Sequence, residues 1–482
     1  MPPLPDDHAC AFKDEADRLR SEVEGMHGAM ATMRAELDAL KQRVFGKKAE
    51  KVTPVEREVR TLRPTDPERA KQKRAERALL KEHLEEDIVE HRVPTEAKTC
   101  PECHAAADRT LAAKESIEYA YVPGHFRRRV HRRETLACRC GQHIVTARAP
   151  ARVGDKTAYG AGFVAHVVVS KCADSIPLAR MERHYARLGI PIARSTLCDL
   201  FHRAAGVLSP LAKRILVRIA QSDVVWADET PHRIQGVTKK PYVWTFLDDT
   251  LVGYTFSDSR SSQAATRVLG TSKGTLVVDA YTGYNAVTTP EGRTRAGCLA
   301  HARRKFFAAL ATAPQARHAL DLIRDIYVVE HDAREAGVAR TEKHAAMRAA
   351  RSAPVMAELM AYLESEQPKH LPKGPMGKAI SYTLSNASAL TVFLSDPRVS
   401  VDNNVSESAL RTVALGRANY LFVGHKDAGD NLCTLLTLVR SAERCGINPL
   451  LYLTDVLTRV QTHPASDLDA LLPDRWRPAV PS

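Results

Sequence analysis

The chain has little of what marks a secreted or membrane protein. Its 482 residues include only 10 cysteines, most of them scattered singly, which does not suggest a disulfide scaffold. The most apolar stretch, AGFVAHVVVS, is far too short to span a bilayer, and the first ten residues lack the basic and then apolar order of a secretion signal. We therefore expect a protein of the reducing cytoplasm without a membrane partner.

Length and charge narrow the class further. A chain of 482 residues can form about three domains of ordinary size. Its 44% hydrophobic and 26% charged content is that of a globular protein, and its formal net charge is +13. A large basic protein most often binds a polyanion such as DNA, although ribosomal and membrane-surface proteins share that balance.

Apolar residues recur with spacings of four and three in the first 48 residues. They are Phe12, Ala16, Leu19, Val23, Met26, Met30, Met33, Leu37, Leu40 and Val44. A period of 3.5 residues predicts a left-handed coiled coil over residues 1–48, and with it a homo-oligomer. An amphipathic helix docked on its own protein is the alternative. Residues 49–97 are basic and interrupted by proline, which indicates a linker that contacts phosphates or serves as a spacer.

Two close pairs of thiols predict a zinc-binding module over residues 98–145. Cys100 and Cys103 have the spacing of a zinc knuckle, and Cys138 and Cys140 complete a tetrahedral set. The second pair is one residue tighter than usual, so His143 competes as the fourth ligand. The basic run between the pairs is a candidate DNA-contacting surface. Its arginines are Arg127, Arg128, Arg129, Arg132 and Arg133.

The next segment, residues 146–215, has the spacing of a helix-turn-helix. A first helix is followed by a turn at Leu188-Gly189-Ile190, and Ser195 or Thr196 opens the second helix. Arg194 then lies at the start of a helix that could read DNA. Helical hairpins with a glycine turn are also common in ordinary protein cores.

Three acidic residues point to the chemistry. Asp228 in VVWADET and Asp279 in TLVVDAYTGYN each close a short apolar run, as in a buried strand, whereas Glu407 lies in the helix-forming SESALRTVAL. Two strand-end aspartates and a helix-borne glutamate can hold two divalent cations for phosphodiester cleavage. Strand-end acids are common in other proteins, so the surrounding element order has to support this interpretation.

The order of strands and helices around these acids supports a metal-binding site. Three consecutive strands, a helix over residues 261–269 and two more strands are the order of a ribonuclease-H-like fold, whose first and fourth strands lie side by side. Those two strands carry Asp228 and Asp279. A helical insertion at about residues 303–400 accounts for the long gap before Glu407.

The whole pattern resembles the transposases of the insertion-sequence-sixty-six family. The matching stretches include ADETPHRIQ, VVDAYTGYNAV, CLAHARRKFF, DNNVSESALR and GINPLLYLTDVL, and the likeness extends from about residue 37 to residue 457. The resemblance implies a DDE-type transposase, a metal-dependent polynucleotidyl transferase with a ribonuclease-H-like core. The three catalytic acids of the family fall on Asp228, Asp279 and Glu407.

The resemblance also implies cofactors and partners. Two Mg²⁺ or Mn²⁺ ions would serve the acids, one structural Zn²⁺ the cysteines, and DNA would be bound at terminal inverted repeats and at the target. Accessory proteins of the same element are further candidate partners. Cleavage would free a 3′-hydroxyl, which would then attack the target. The Cys298/His301 pair matches a Cys-x-x-His signature of related transposases and supports the site. Further candidate phosphate contacts are Arg303, Arg304, Lys305 and Arg411.

Together these features predict a multidomain α+β chain. It has a coiled coil, a zinc-binding module, a helix-turn-helix and a ribonuclease-H-like α/β core with a helical insertion. The predicted segments are 1–48, 49–97, 98–145, 146–215, a core of 216–425 and a helical tail of 426–482. Two other functions remain open at this point. One is a metal-dependent nuclease of the same fold without strand transfer, and the other is a non-catalytic zinc and helix-turn-helix regulator of DNA.

Overall fold

The computed structural model describes residues 124–137, 144–147, 152–153, 157–238 and 240–478, together with single positions between 15 and 75. The chain divides into two compact units, one of residues 1–59 and 133–482 and the other of residues 60–132. In the second unit, residues 124–132 form no helix or strand, and nearly all of their side chains are exposed.

Several predicted features fall outside the described residues. This holds for the cysteines of the zinc module and for His143. It also holds for most of the predicted coiled coil, although the described positions between 15 and 33 are helical. A two-stranded antiparallel sheet flanks the second cysteine pair, with β1 (Thr135–Ala137) pairing with β2 (Ile144–Thr146).

Three helices lead into the central sheet. They are α1 (Ala161–Cys172), α2 (Leu178–Arg187) and α3 (Arg194–Gln221). The turn between α2 and α3 contains Gly189, whose φ of +80° lies in the region that favours glycine. The predicted helix, turn and helix are therefore present. However, α3 begins at Arg194 rather than at Ser195 or Thr196, and its apolar face is buried along its whole length.

The central sheet has five strands. They are β3 (Val224–Pro231), β4 (Tyr242–Leu247), β5 (Val252–Ser257), β6 (Thr275–Val277) and β7 (Thr294–Ala296), with α4 (Gln263–Leu269) between β5 and β6. Their spatial order is β5-β4-β3-β6-β7. The first three strands are antiparallel to one another, and β3, β6 and β7 are parallel. The strands predicted from the apolar runs are thus present, with the first and fourth as neighbours.

Helices fill the chain between the last strand and the third acid. They are α5 (Leu299–Ala309), α6 (Ala316–Glu335), α7 (Glu342–Met347), α8 (Ala353–Glu366), α9 (Pro375–Ser385) and α10 (Ala387–Thr391). The buried Arg348 fastens this region to the segment that follows it. Its guanidinium binds both carboxylate oxygens of Glu330 and donates to the carbonyls of Phe393, Asp396 and Val399.

Three further helices complete the unit. They are α11 (Asn404–Tyr420), α12 (Lys426–Arg444) and α13 (Pro449–Arg459). Helix α11 packs on β3 and β4, whereas α12 covers the free edge of β5. The backbone N–H of Tyr254 donates to Thr437 Oγ1 (2.9 Å), and that of Val252 donates to Ser441 Oγ (3.1 Å). These bonds satisfy edge-strand groups that would otherwise be open to pairing with another chain.

Within the described part of the chain, no helix is both long enough and apolar enough to cross a bilayer.

Candidate active site

Of the three predicted catalytic acids, Asp228 is the one that lies on β3, the middle strand of the sheet. It is the fifth residue of β3, which continues for three residues beyond it, and its Oδ1 accepts a hydrogen bond from the N–H of Glu229 (2.8 Å). Burial, and after it the charges of Glu229, Asp279 and Glu407, raise the pKa of Asp228 to about 7. Asp279 and Glu407 therefore both lie close enough to Asp228 to act on its charge.

Asp279 lies two residues beyond the end of β6, the strand that runs parallel to β3. Its Oδ1 accepts a hydrogen bond from the N–H of Tyr281 (2.9 Å), which forms a tight turn. The guanidinium of Arg295 donates to the backbone carbonyls of Asp279 and Tyr281 and to Asn285 Oδ1. These bonds hold the turn against β7, so the position of Asp279 is set by the end of the sheet.

Glu407 lies in the first turn of α11, the helix that packs on β3. Its side chain is 33% exposed, and its oxygens lie 3.9 Å from His301 Nε2 and 3.7 Å from Arg304 Nη2. Burial lowers the pKa of His301, so the imidazole is neutral near pH 7. Glu407 therefore faces α5 as well as the strand acids.

The Cys298/His301 pair lies beside the triad, but the two side chains do different things. Cys298 is buried immediately before α5, and its Sγ accepts a hydrogen bond from the N–H of Asn403 (3.3 Å). Burial raises the pKa of this thiol to about 12, so it is neutral and unreactive. Cys298 thus holds the segment that leads to Glu407, whereas His301 contacts Glu407 itself.

The candidate phosphate contacts near the triad have different environments. Arg303 is buried and bound to Glu58, and the ammonium of Lys305 lies 4.7 Å from the centre of the Tyr382 ring. Arg304 is partly exposed next to Glu407, and Arg411 is exposed on α11. Arg304 and Arg411 are therefore the better placed of the four to meet DNA.

The candidate DNA contacts outside the sheet are also exposed. Arg127, Arg128, Arg129 and Arg132 lie in the irregular stretch of residues 124–132, Arg133 follows it in the other unit, and all five are exposed. Arg194 is exposed at the start of α3, where its backbone N–H donates to Glu182 Oε1 (2.9 Å). Their exposure leaves a role in phosphate binding open to test.

A hydrogen-bond network beside Asp228 could not be predicted from the sequence. The side chain of Glu229 is almost fully buried and is bound by Arg260 Nε (2.8 Å) and by the hydroxyl of Tyr284 (2.6 Å). The Arg260 guanidinium in turn lies 3.9 Å from the centre of the Tyr281 ring. The network ties β3 to the turn after Asp279. Only spatial proximity reveals it, because Arg260 stands in a serine-rich loop without any periodic pattern.

The donor chemistry of the triad suits a hard divalent cation. Three carboxylates from β3, the end of β6 and α11 supply only oxygen ligands, which Mg²⁺ and Mn²⁺ prefer. Burial first, and then the charges of Glu229, Asp279 and Glu407, disfavour the ionised form of Asp228, and a bound cation would offset both effects. Among the described residues, no three His, Cys, Asp or Glu side chains are close enough together to bind one metal ion. The three acids therefore lie near one another, but their carboxylates would have to move closer together to bind the same cation.

Comparisons with known proteins agree with this architecture. Residues 156–431 match the description "Transposase IS66 family", residues 437–473 match "IS66 C-terminal element", and residues 97–141 match "zinc-finger binding domain of transposase IS66". The chain belongs to the transposase IS66 family. This membership supports a transposase role, and the zinc-finger match supports binding of zinc and of DNA.

Similar proteins are found in Sinorhizobium fredii (strain NBRC 101917 / NGR234). "Uncharacterized protein y4jD" is 31% identical over 96% of this chain and 98% of its own length. "Uncharacterized protein y4qI" is 31% identical over 82% of this chain and 76% of its own length. The first similarity extends over almost the full length of both chains.

Proposed function

We propose that this protein is a DDE-type transposase that cleaves the ends of an insertion element and joins the freed 3′-hydroxyl to target DNA. The observation that carries the proposal is the proximity of Asp279, at the end of β6, and Glu407, on α11, to Asp228 on β3, whose pKa both charges raise. Membership of the transposase IS66 family supports the reaction class. We place its action on DNA in the bacterial cytoplasm.

The fold is proposed to be ribonuclease-H-like. The strand order β5-β4-β3-β6-β7, with β4 antiparallel to both of its neighbours and β3 parallel to β6, supports this assignment. In such a sheet the first and fourth strands are adjacent at the centre, and acids at their ends lie close together. The helical insertion then returns the chain through α11, which brings Glu407 to the same edge.

The acids are proposed to be the ligands of two divalent cations. Asp228, Asp279 and Glu407 would together hold the cations through their carboxylate oxygens. When bound, two such ions supply an activated oxygen nucleophile and stabilise the charge on the leaving oxygen. The neutral His301 orients Glu407, while Arg304 and Arg411 bind phosphates on either side of the scissile bond.

The N-terminal half is proposed to hold and pair the DNA ends. Cys100, Cys103, Cys138 and Cys140 would bind one structural zinc, which the zinc-finger match supports. The exposed arginines of residues 124–133 and Arg194 would contact phosphates. Residues 1–48 would pair as a coiled coil with a second copy, and accessory proteins of the same element are further candidate partners.

The test is nicking and strand transfer on a labelled duplex that carries the terminal repeat of the element, with Mg²⁺ or Mn²⁺ present. Asp228→Asn should reduce nicking at least about a thousandfold, because the acids act as a unit. Its matched control is Asp223→Asn. Asp223 is an exposed acid directly before β3 that pairs only at the surface with Arg398, and its loss should change the rate less than about twofold.

The products distinguish the alternatives. Nicking without joined products would favour a nuclease of the same fold, and specific DNA binding without nicking would favour a regulator. Calcium should support DNA binding with little cleavage, because its longer and looser coordination positions the attacking oxygen poorly. Wild-type nicking by Asp228→Asn would refute the proposed site.

A further inference from the structure

Asn403 is a buried residue whose hydrogen bonds reach β3, the residue before α5 and the first turn of α11. Its backbone N–H donates to Cys298 Sγ (3.3 Å), directly before α5. Its side-chain Nδ2 donates to the carbonyl of Ala227 (2.8 Å), the residue that precedes Asp228 on β3. The carboxamide therefore connects the chain just ahead of α11 to the strand that carries the central acid.

The same residue begins the helix that carries Glu407. The backbone carbonyl of Asn403 accepts hydrogen bonds from the N–H groups of Ser406 (3.1 Å) and Glu407 (3.3 Å), and from Ser406 Oγ (3.0 Å). These bonds close the first turn of α11. A shift of Asn403 relative to β3 would consequently move Glu407 relative to Asp228, because the same residue makes both contacts.

The side chain of Asn403 is not required merely to fill space. Its Oδ1 is buried and, among the described residues, has no hydrogen-bond partner, which carries an energetic cost. The surrounding segment is also held by other bonds. Leu299 N–H donates to the carbonyl of Val401 (3.0 Å), and the hydroxyl of Tyr327 donates to Asp402 (2.7 Å). The distinctive contribution of the carboxamide is therefore the single Nδ2 bond to β3.

We propose that Asn403 is a positioning residue that sets the distance between Glu407 and Asp228, and so lets the two carboxylates share divalent cations. The inference rests on the proposed function, since it assigns that pair as cation ligands. Residues outside the ligand set that orient the ligands commonly change metal affinity by about 10- to 100-fold when they are replaced.

The test compares two neighbouring asparagines in the full-length protein. Asn403→Asp keeps the shape but replaces the donor with an acceptor that faces the Ala227 carbonyl, and Asn403→Ala removes the contact. The matched control is Asn404→Ala, because among the described residues the Asn404 side chain bonds to the nearby Asp402 (2.8 Å) and not to β3. Thermal unfolding in EDTA identifies which variants are folded.

Two readouts separate positioning from a general loss of stability. Calorimetric titration with Ca²⁺ or Mn²⁺ in the absence of DNA should show affinity about tenfold or more weaker in both Asn403 variants, and within about twofold of wild type in Asn404→Ala. In nicking assays, half-saturating Mg²⁺ should rise by a similar factor, with the rate partly restored at high Mg²⁺. Hydrogen exchange should be faster across residues 404–410 in the Asn403 variants.

The outcomes are distinguishable from those of the proposed function. Folded Asn403 variants with wild-type cation affinity and unchanged exchange across residues 404–410 overturn the positioning role. An equal loss of affinity in Asn404→Ala also overturns it, because the effect would then be local destabilisation. A wild-type protein that neither nicks nor joins element ends refutes the transposase, whereas the exchange measurement still decides whether Asn403 fixes α11 to β3.

Discussion

The buried Arg303 and the partly exposed Glu58 form an ion pair that joins the N-terminal segment to the helix beside the candidate active site. The Arg303 Nη2 lies 2.7 Å from both carboxylate oxygens of Glu58, and the Arg303 side chain is only 7% exposed. Val55 and Val59 flank Glu58 and are buried in the hydrophobic core. Val55, Glu58 and Val59 are thus fixed to the unit that contains α5, the helix that carries His301.

Loss of this pair should destabilise the fold. Glu58→Ala leaves a buried guanidinium without its partner, and we expect the free energy of unfolding to fall by about 1–3 kcal/mol. Urea denaturation followed by tryptophan fluorescence measures the change. Glu364→Ala, at an exposed position of α8, is the control and should change the stability by less than about 0.5 kcal/mol. Equal stability of the two variants would contradict a structural role for the Glu58 contact.

Replacing Asp228 with a neutral residue should abolish activity but stabilise the metal-free fold. Asp228 is half-buried and lies close to other carboxylates, so its charge is unfavourable in the metal-free protein. We expect Asp228→Asn to unfold at a higher temperature than wild type in EDTA at pH 8, and Mg²⁺ to narrow the gap. Differential scanning calorimetry measures both temperatures. A metal-free variant less stable than wild type would show that the charge is already compensated.

Asp279→Ala and Glu407→Ala should each be as inactive as the double variant, because the three acids act as one unit. Glu229→Ala is the informative comparison, since this neighbour of Asp228 is bound by Arg260 and Tyr284. We expect only a partial loss of nicking from it. Complete loss without unfolding would place Glu229 among the catalytic groups.

The zinc prediction concerns Cys100, Cys103, Cys138 and Cys140. Elemental analysis of the purified protein should find one zinc per chain, and replacing Cys100 and Cys103 together with serine should remove it and unfold the module. Cys433→Ser is a matched control, because this cysteine is buried in α12, far from the module in sequence. Full zinc retention by the double variant would rule out this ligand set. Comparing Cys140→Ser with His143→Ala identifies the fourth ligand.

The coiled-coil prediction concerns residues 1–48. Leu19, Val23, Met26, Met30 and Met33 occupy the apolar positions of the repeat and are exposed in the single chain. Deleting the first 46 residues should therefore reduce the oligomeric state seen by light scattering while leaving cation binding intact. Replacing Leu37 and Leu40 with glutamate should act in the same direction. An unchanged oligomer would assign the helix to another role.

The sequence by itself determined the helices and strands that carry Asp228, Asp279 and Glu407. Short apolar runs predict the strands around Asp228 and Asp279, and the helical residues before Glu407 predict the helical insertion. Such properties depend on local propensity and on the period of the hydrophobic pattern, which neighbouring residues set. For the same reason the turn at Gly189 was correctly placed, while the start of α3 was missed by one residue.

Only the tertiary structure decided what the individual polar side chains do. Arg303 lies in a basic run that reads as a DNA contact, yet it is buried against Glu58, 245 positions away. Asn403 reads as a turn residue, yet it binds the carbonyl of Ala227 across 176 positions. Such pairings depend on where the packed elements bring distant parts of the chain together. Local propensity carries no information about that, because the partner lies outside any sequence window.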